Sequence, residues 1–522
     1  MKLGELLRAL ESPVDLPNEA LDREVRDIAY DSRKVVPGSL FVAVRGFHSD
    51  GHQFIPQAVQ QGAIAVVAEV SKQSEGAGNP PVIPVVNSRA ALAQIAAAFY
   101  GYPSRRLKLI GITGTKGKTT TSYLVRSIIE AAGHGAGLIG TIDYRVGNKV
   151  YPAPNTTPES LDLQRLLREM ADTRAGYCVM EVSSHALALG RTDGCVFETA
   201  VFTNLAQDHL DFHQDMDSYF RAKLLLFTAL ASGRTAVINA DDEASAEIGQ
   251  RTRATVHTFG MSGKADVRPT GEIGHGLGGL SFDVRTPNGV VAVESPLVGK
   301  HNVYNILAAI GVGVSQGFSS DAIARGVKSM RAVPGRMEKV EAGQPYGVIV
   351  DYAHTADSLV HLLDAVRQVA TGRVIALFGC GGDRDRTKRP KMGAAVVRGS
   401  DIAIVTTDNP RTEDALAIIN EIEAGMVPAG IKVPSPDRMP DDASGRTPYL
   451  VIPDRRAAIA TAIGMARQGD VVVLAGKGHE DYQIIGDTKI HFDDREVARE
   501  EIRKCSAESP ILPGQGSVRN AK

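Results

Sequence analysis

The stretch Leu107-Lys108-Leu109-Ile110-Gly111-Ile112-Thr113-Gly114-Thr115-Lys116-Gly117-Lys118-Thr119-Thr120-Thr121 decides the fold. A strand-like apolar run, Leu107 to Ile112, feeds a glycine-rich turn that ends in Gly-Lys-Thr. Backbone N–H groups close on a phosphate only where side chains are absent, the Lys ammonium reaches outer phosphates, and the Thr hydroxyl can hold Mg²⁺. Gly111 and Gly117 enclose five residues where the strict pattern has four, so this is a variant P-loop. A glycine-rich turn that merely opens a helix is the alternative, and Gly-Lys-Thr after an apolar strand favours phosphate binding.

Outward from the loop, apolar strands alternate with helical stretches. Gly176 to Val182, Thr199 to Asn204 and Thr235 to Asn239 read as further strands of a largely parallel sheet in a central region, residues 106–333. Residues 1–105 hold short strands such as Ser39 to Val44 and Ala63 to Val70, then a helix from Ser88 to Tyr100, which together suggest a small α/β domain. After Val333-Pro334-Gly335-Arg336, the runs Tyr346 to Tyr352, Arg373 to Gly379, Ile402 to Thr406 and Asp470 to Ala475 read as a third α/β domain, residues 334–506. Residues 507–522 are rich in Ser, Pro and Gly and carry too little apolar surface to offset chain entropy, so a disordered tail is expected. The fold class is therefore α/β in three domains, with the P-loop sheet in the middle one.

Composition agrees, since 522 residues suit about three or four domains of ordinary size. The 58 Lys plus Arg nearly balance 60 Asp plus Glu, for a formal charge of −2. Nothing in that balance points to nucleic acid or an anionic membrane, and small molecules are the expected partners. Cys178, Cys195, Cys380 and Cys505 lie far apart without zinc or disulfide spacing, as buried thiols in a reducing cytosol would. Met1 to Glu11 has an amphipathic helical pattern rather than a signal-peptide pattern, and no apolar run reaches membrane-spanning length. A cytoplasmic protein without membrane insertion is expected.

Two further segments narrow the chemistry. Glu181 ends a buried-looking strand in Val179-Met180-Glu181-Val182-Ser183-Ser184-His185, and open α/β sheets bind ligands at the C-terminal ends of their strands. Thr203-Asn204-Leu205-Ala206-Gln207-Asp208-His209-Leu210-Asp211 follows another strand and brings His209 and two acids to the same rim. With Thr119 these residues form a candidate Mg²⁺ shell. Each reads singly as well as a polar surface residue; their convergence favours the metal. His209 and His213, four apart, imitate a zinc pair, but no third nitrogen or sulfur ligand has suitable spacing, and zinc is rejected. Lys223 has Tyr219, Phe220, Leu226 and Phe227 three and four residues away, which puts it on the apolar face of a helix from Ser218 to Leu230. Burial there would lower its pKa and leave an amine able to add CO₂ as a metal-binding carbamate. Spacing alone favours the simpler reading, a stem along the apolar face with its head in water.

In order and spacing, Gly114-Thr115-Lys116-Gly117-Lys118-Thr119-Thr120, Glu181-Val182-Ser183-Ser184-His185, Asp208-His209-Leu210-Asp211 and His301-Asn302-Val303-Tyr304-Asn305 resemble the Mur ligase family, across residues 22–496. The resemblance implies an N-terminal domain for a uridine nucleotide, a central ATPase and a C-terminal Rossmann-like domain for an incoming amino acid. It also implies an enzyme that extends UDP-N-acetylmuramoyl-L-alanyl-D-glutamate by one residue at the expense of ATP, in peptidoglycan precursor synthesis; a monomer is expected. Tyr30 and Ser32 in Tyr30-Asp31-Ser32-Arg33, with Phe47-His48-Ser49, match UDP contacts. Asn155-Thr156-Thr157-Pro158, Ser183 and Arg191 match contacts to the muramoyl-dipeptide. Gly114 to Thr120, Asn302 and Asn305 match ATP-binding positions, Arg336 and Asp351 match ATP contacts across the domain boundary, and His354 lies in the matching Asp351-Tyr352-Ala353-His354. Lys223 occupies the family's carbamylated-lysine position, which reverses the reading from spacing. With Thr119, Glu181 and His209 it would hold two Mg²⁺ ions, making Lys118, Lys223, His209 and Glu181 the implied catalytic set. Two positions depart from the pattern: Lys116 stands where Asn is common, and Leu189 where some relatives have Gln.

Amide formation needs an activated carboxylate, so the γ-phosphate of ATP would first give an acyl phosphate, with Lys118 and the metal ions offsetting anionic repulsion. The incoming amine would then attack the acyl carbon. Its identity rests on Asp408-Asn409-Pro410-Arg411 after the strand Ile402 to Thr406. Pro410 stiffens the backbone behind Arg411, whose planar fork matches a carboxylate. meso-Diaminopimelate carries a second carboxylate that lysine lacks, so such an arginine selects diaminopimelate. The resemblance agrees and adds Arg384, Gly476 and Glu480 as holders of the other groups. An ordinary Asn-Pro turn is the alternative. Ligation of lysine, a P-loop phosphotransferase and a non-catalytic nucleotide-binding module stay open. Folylpolyglutamate synthetase shares the loop chemistry, but Asp31-Ser32-Arg33 argues for a UDP-sugar.

Overall fold

The computed structural model describes residues 1–10, 16–46, 49–69, 80–440 and 445–508. The chain forms two compact units: Met1–Glu272, Phe282–Val293 and Val303–Ser329 in the first, and Ile273–Ser281, Glu294–Asn302 and the chain from Met330 onward in the second.

In the first unit the P-loop strand, Lys108–Thr113, lies inside an eight-stranded sheet. Its order is Thr255–Phe259, Thr235–Asn239, Phe197–Phe202, Lys108–Thr113, Tyr177–Glu181, Ala136–Ile139, Asp143–Val146 and Lys149–Pro152. Pairing is parallel as far as Ala136–Ile139. Beyond it a meander adds two antiparallel strands that the apolar-run reading did not register. Leu109, Ile110 and Ile112 are fully buried, as an interior parallel strand covered on both faces requires. The sheet therefore presents the strand ends Thr113, Glu181 and Phe202 side by side.

A second, four-stranded parallel sheet, Asp27–Ala29, Ser39–Val42, Ala65–Ala68 and Val82–Pro84, occupies the N-terminal part of this unit. Of the expected strand Ala63 to Val70, Val70 lies outside the described residues. The first helix is shorter than its pattern predicts, Leu3–Leu7, with Leu3, Leu6 and Leu7 turned inward. This sheet shares one compact unit with the central one because the two are stitched together. The Tyr30 hydroxyl donates to Asp162 at 2.6 Å, Arg89 pairs with Glu159 at 2.6 Å, and Leu161 packs with Leu92 and Ile95.

The second unit is built on seven strands in the order Glu338–Lys339, Gly347–Asp351, Val471–Ala475, Val374–Phe378, Ile402–Val405, Thr447–Val451 and Gly430–Lys432. All pairs but the first are parallel. Two apolar clusters cover its faces, one around Leu359, Leu363 and Ile422, the other around Ile459, Ile463 and Ile502. Ile502 belongs to a helix, Asp494–Glu508, that continues two residues into the segment expected to be tail. The remainder of that segment, residues 509–522, lies outside the described residues. A three-stranded sheet, Arg268–Gly276, Gly279–Thr286 and Gly289–Ser295, precedes the second unit's main fold. Its middle strand alternates strictly, with Leu280, Phe282, Val284 and Thr286 buried and their neighbours outward. Among the described residues no helix is long and apolar enough to cross a membrane.

Candidate active site

The P-loop's shape follows from two glycines. Gly114 has φ 142° and Gly117 φ 86°, backbone conformations that disfavour a side chain. A Cβ on Gly114 would collide with the Thr203 hydroxyl, and one on Gly117 with the Asn305 side chain. The neighbouring strand end then braces the turn. The Thr203 hydroxyl donates to Lys116 O at 2.7 Å, and the Asn204 side chain accepts from Lys116 N at 2.9 Å and donates to Lys116 O at 3.0 Å. Lys116 is thus held by its backbone, which explains why the loop tolerates this side chain. Gly117 is the N-cap of helix Lys118–Ala131, and the N-terminal end of a helix favours an anion.

Two lysines converge on one carbonyl. Lys118 Nζ donates to Gly114 O and Thr115 O, both at 2.9 Å, and Lys223 Nζ also donates to Gly114 O at 2.9 Å. Lys223 is 1% exposed and its ammonium lies 4.1 Å from the centroid of the Tyr219 ring. Burial, reinforced by Lys118, pulls its pKa down to about 6. The snorkelling reading fails because the apolar face of helix Met216–Thr228 ends beneath the P-loop instead of at water.

Glu181, fully buried, accepts from the Thr119 hydroxyl at 2.9 Å, the Thr141 hydroxyl at 3.0 Å and Thr141 N at 2.9 Å. Gly140 must lack a side chain here, since its Cβ would lie 2.5 Å from a Glu181 oxygen. From Glu181 the network runs outward: Thr141 meets the Thr156 hydroxyl at 3.1 Å, and the Thr157 hydroxyl donates to Glu181 O at 2.9 Å and accepts from Ser183 N at 3.1 Å. Arg191 donates to Thr157 O at 3.1 Å and faces Glu159 at 3.5 Å, while the Tyr144 hydroxyl donates to Asn155 O. Thr156, Thr157, Ser183 and Arg191 are thereby linked through Glu181 to Thr119, while Asn155 is exposed and tied to Tyr144. Leu189 ends the short helix Ser184–Ala188 that Ser183 caps.

His209 stands apart from that network. Its backbone is left-handed at φ 54°, its side chain is about half exposed, and its ring packs against His185 at 4.8 Å and Tyr219 at 6.2 Å between centroids. Burial pulls the His185 pKa down to about 4. His213 is occupied with the Ser184 hydroxyl at 2.9 Å. Asp208 and Asp211 are exposed. Among the described residues no group of three or more His, Cys, Asp and Glu side chains is arranged to hold a metal ion. Asn305 accepts from the Thr121 hydroxyl at 3.4 Å, and Asn302 donates to Val298 O at 2.7 Å.

In the N-terminal sheet region, the Tyr30 phenol is held well above its ordinary pKa by burial and Asp162. The Ser32 hydroxyl donates to Gln57 at 2.9 Å, Asp31 caps the turn Ser32–Lys34, and Ser49 O accepts from Gly46 N at 2.9 Å. Phe47 and His48 lie outside the described residues.

The second unit gathers its candidates at the ends of its parallel strands. Asp351 is tied to Met337 N and Ala353 N at 2.8 Å each, and burial raises its pKa. Arg336 lies 5.2 Å from the Tyr352 ring centroid, and His354 hydrogen-bonds Tyr352 O at 2.7 Å. Asn409 donates to Glu480 at 2.9 Å, Asp408 closes against Gly476, and Arg411, itself left-handed at φ 53°, donates to Gly382 O at 2.7 Å. Arg384 is exposed beside this cluster, its stem 3.9 Å from where a Cβ on Gly381 would lie, while the Arg411 guanidinium lies 3.0 Å from the same point. Asp408, Asn409, Pro410, Arg411, Gly476 and Glu480 therefore form one cluster with Arg384 at its edge. Thr141 and Asn204 have roles that no local spacing announced; each lies just past a strand end that the sheet sets within two strands of the P-loop strand.

The chain matches the Mur ligase family catalytic domain over residues 24–100, the Mur ligase middle domain over 112–313 and the Mur ligase glutamate ligase domain over 335–478. A protein of Solibacter usitatus named UDP-N-acetylmuramoyl-L-alanyl-D-glutamate--2,6-diaminopimelate ligase is 48% identical over 96% of this chain and 98% of its own. A Geobacillus thermodenitrificans protein of the same name is 47% identical over 97% and 100%. A solved structure bearing that name has a TM-score of 0.70 at 32% identity, covering 97% of this chain and all of its own. With three consecutive domains matched and near-complete coverage by such relatives, the chain belongs to the Mur ligase family.

Proposed function

We propose that the chain is an ATP-dependent amide-forming ligase that adds meso-2,6-diaminopimelate to UDP-N-acetylmuramoyl-L-alanyl-D-glutamate, in cytoplasmic peptidoglycan precursor synthesis and as a monomer. The observation that carries this reading is the hydrogen-bonded chain from Thr119 through Glu181 and Thr157 to Ser183 and Arg191, which sets a phosphate loop beside candidate carboxylate-binding groups. The names of the relatives at 48% and 47% identity support it.

In this reading the N-terminal sheet, residues 1–105, receives the uridine nucleotide through Tyr30, Ser32 and the Phe47-His48-Ser49 segment. Thr156, Thr157, Ser183 and Arg191 hold the dipeptide with its terminal carboxylate toward the P-loop. Gly114 to Thr120 cradle the ATP phosphates, with Asn302, Asn305, Arg336 and Asp351 as further nucleotide contacts. Lys118, which rests on two loop carbonyls, turns to the γ-phosphate and offsets charge as it moves to the substrate carboxylate. The resulting acyl phosphate is attacked by the amine of diaminopimelate, and phosphate departs with the C–O bond it occupied. Arg411, in Asp408-Asn409-Pro410-Arg411, holds the distal carboxylate, and Arg384, Gly476 and Glu480 hold the other groups of the amino acid. Residues 334–506 thus serve the amino acid.

The donors fit a hard cation. Thr119 and Glu181 supply oxygen, His209 a nitrogen, and a Lys223 carbamate would add an anionic oxygen, so Mg²⁺ would be held by these groups together with the phosphates of ATP. When bound, Mg²⁺ supplies electrostatic stabilisation of the transferring phosphoryl group. Lys223 enters as a largely neutral amine, since its pKa of about 6 lies below cytosolic pH, and a neutral amine is what CO₂ modifies.

Mass spectrometry of the products formed from ATP, Mg²⁺, the UDP-linked dipeptide and a panel of amino acids tests the proposal. The expected outcome is one UDP-linked tripeptide with meso-diaminopimelate, formed with ADP and phosphate. Acyl phosphate trapped by hydroxylamine with no amine-dependent product would instead indicate a phosphotransferase.

A further inference from the structure

Arg389 is among the largest fully buried side chains of the molecule, yet no step above uses it. It leaves helix Lys388–Gly399 and meets two carboxylates. Nη1 reaches Glu413 at 2.9 Å and Glu421 at 2.8 Å, and Nη2 reaches the other Glu413 oxygen at 2.8 Å and Gly381 O at 3.4 Å. Burying a guanidinium is costly unless its geometry is well satisfied, so a bidentate pair is informative about what it fixes.

What it fixes is the contact between two loops. Glu413 also accepts from Asp383 N at 2.6 Å, and its own N–H donates to Pro410 O at 3.1 Å. Gly382 N donates to Asn409 O at 2.9 Å, and the Thr412 hydroxyl donates to Asp383 at 2.7 Å. The residues at the crossing, Asp383 and Arg411, both have left-handed backbones, at φ 54° and 53°. Each conformation is unfavourable for a residue with a side chain and persists only where its surroundings impose it. The Arg411 guanidinium is itself aimed by its bond to Gly382 O. Its direction therefore depends on how loop 381–383 is seated, and that seat is Glu413 clamped by Arg389.

We infer that Arg389 and Glu413 are positioning residues that aim Arg411 and so set the preference for diaminopimelate over lysine without touching the amino acid. This rests on the proposed contact between Arg411 and the distal carboxylate. Lysine has no such carboxylate, so a misaimed Arg411 weakens diaminopimelate binding and leaves lysine unaffected. A purely structural pair would act otherwise, disturbing every substrate alike.

The test is steady-state kinetics of the full-length chain carrying Glu413→Gln, Thr412→Val or Arg389→Lys, beside Arg411→Ala. Thr412 is exposed, and its substitution removes only the clip to Asp383, so this variant remains informative if Arg389 variants fold poorly. A displacement of about 1 Å can cost about 100-fold, so Glu413→Gln is expected to raise the KM for meso-diaminopimelate about tenfold or more. The diaminopimelate-to-lysine ratio of kcat/KM should fall in step, with the KM values for ATP and the UDP-dipeptide unchanged, and with the melting temperature unchanged in Thr412→Val, which leaves the buried Arg389–Glu413 pair intact. Thr412→Val should show the same pattern more weakly, and Arg389→Lys should fall between, because an ammonium keeps the charge but not the fork. If Arg411→Ala loses the preference while Glu413→Gln and Thr412→Val keep it, the positioning role is wrong and the proposed contact stands. Parallel losses for all three substrates with a lowered melting temperature would also overturn it, as would an Arg411→Ala enzyme with unaltered selectivity.

Discussion

Lys223→Met should make the protein more stable and the enzyme nearly inactive, and the pH dependence of the first effect identifies its cause. The amine is 1% exposed and burial holds its pKa near about 6, against 10.5 for an unburied lysine. At pH 7 the folded site therefore carries a cost of 10.5 − 7 = 3.5 units, which at about 1.36 kcal/mol each is about 5 kcal/mol. Methionine has a similar reach and no charge, and Gly114 O keeps the Lys118 amine as donor when Lys223 is gone. Part of the gain is lost to imperfect packing, and a net rise of about 1–4 kcal/mol is expected, the range seen when buried charged groups give way to apolar ones. The folded-state pKa lies below the unfolded one, so the folded chain binds fewer protons between about pH 6 and 10.5 and the wild type gains stability as pH rises through that window. The advantage of Lys223→Met should be full below pH 6 and fade toward pH 10.5. Denaturant unfolding in CO₂-free buffer at several pH values measures it, followed by the first transition, because a chain of two compact units need not unfold in one step. Turnover should fall by about 10²–10³, the loss typical of one charge-stabilising group. A stability gain that does not vary with pH would mean the amine stays charged in the fold, and retained turnover would remove Lys223 from the chemistry.

Lys118→Ala should abolish ligation by taking the positive charge from the transferring phosphate; near-normal turnover of the purified variant would remove this loop from the reaction. Glu181→Ala and His209→Ala should raise the Mg²⁺ concentration needed for half-maximal rate while UDP-dipeptide binding, followed calorimetrically, survives. A loss confined to UDP-dipeptide affinity would mean that the cation donors lie elsewhere. Arg411→Ala should cost about 2–5 kcal/mol of diaminopimelate binding, as for a charged partner removed from a desolvated site. An unmutated enzyme that used lysine as well as meso-diaminopimelate would refute the selectivity argument while leaving the ligase reading intact.

The sequence was most legible where a residue's partners are local or its environment is uniform. Lys108–Thr113, Tyr177–Glu181 and Thr235–Asn239 are interior parallel strands buried on both faces, so each is a continuous apolar run that announces itself. Gly279–Thr286 is just as regular, but it faces the core on one side only, so it alternates and contains no unbroken apolar run. The strand Lys149–Pro152 is an exposed edge, with Val150 outward, and has neither pattern. The site divides the same way. The glycines and Lys118 were readable because a phosphate loop is a local object, whereas Lys223 was misjudged on spacing because helical periodicity reports which face is apolar and not what that face meets. Its partner Gly114 is 109 residues away, and Thr119 meets Glu181 across 62. Such pairs exist only because Tyr177–Glu181 and Phe197–Phe202 flank the P-loop strand, an order that chain sequence does not state. The strand-end position marked Glu181 and the family resemblance supplied Lys223, but neither gave a role to Thr203 and Asn204, which brace the loop at Lys116, or to Thr141, which holds Glu181. It follows that substitutions at these supporting positions, which no motif marks, should disturb the loop as surely as changes to the motif itself. Thr203 is the sharpest case, since its hydroxyl both braces Lys116 O and fills the space that keeps position 114 a glycine.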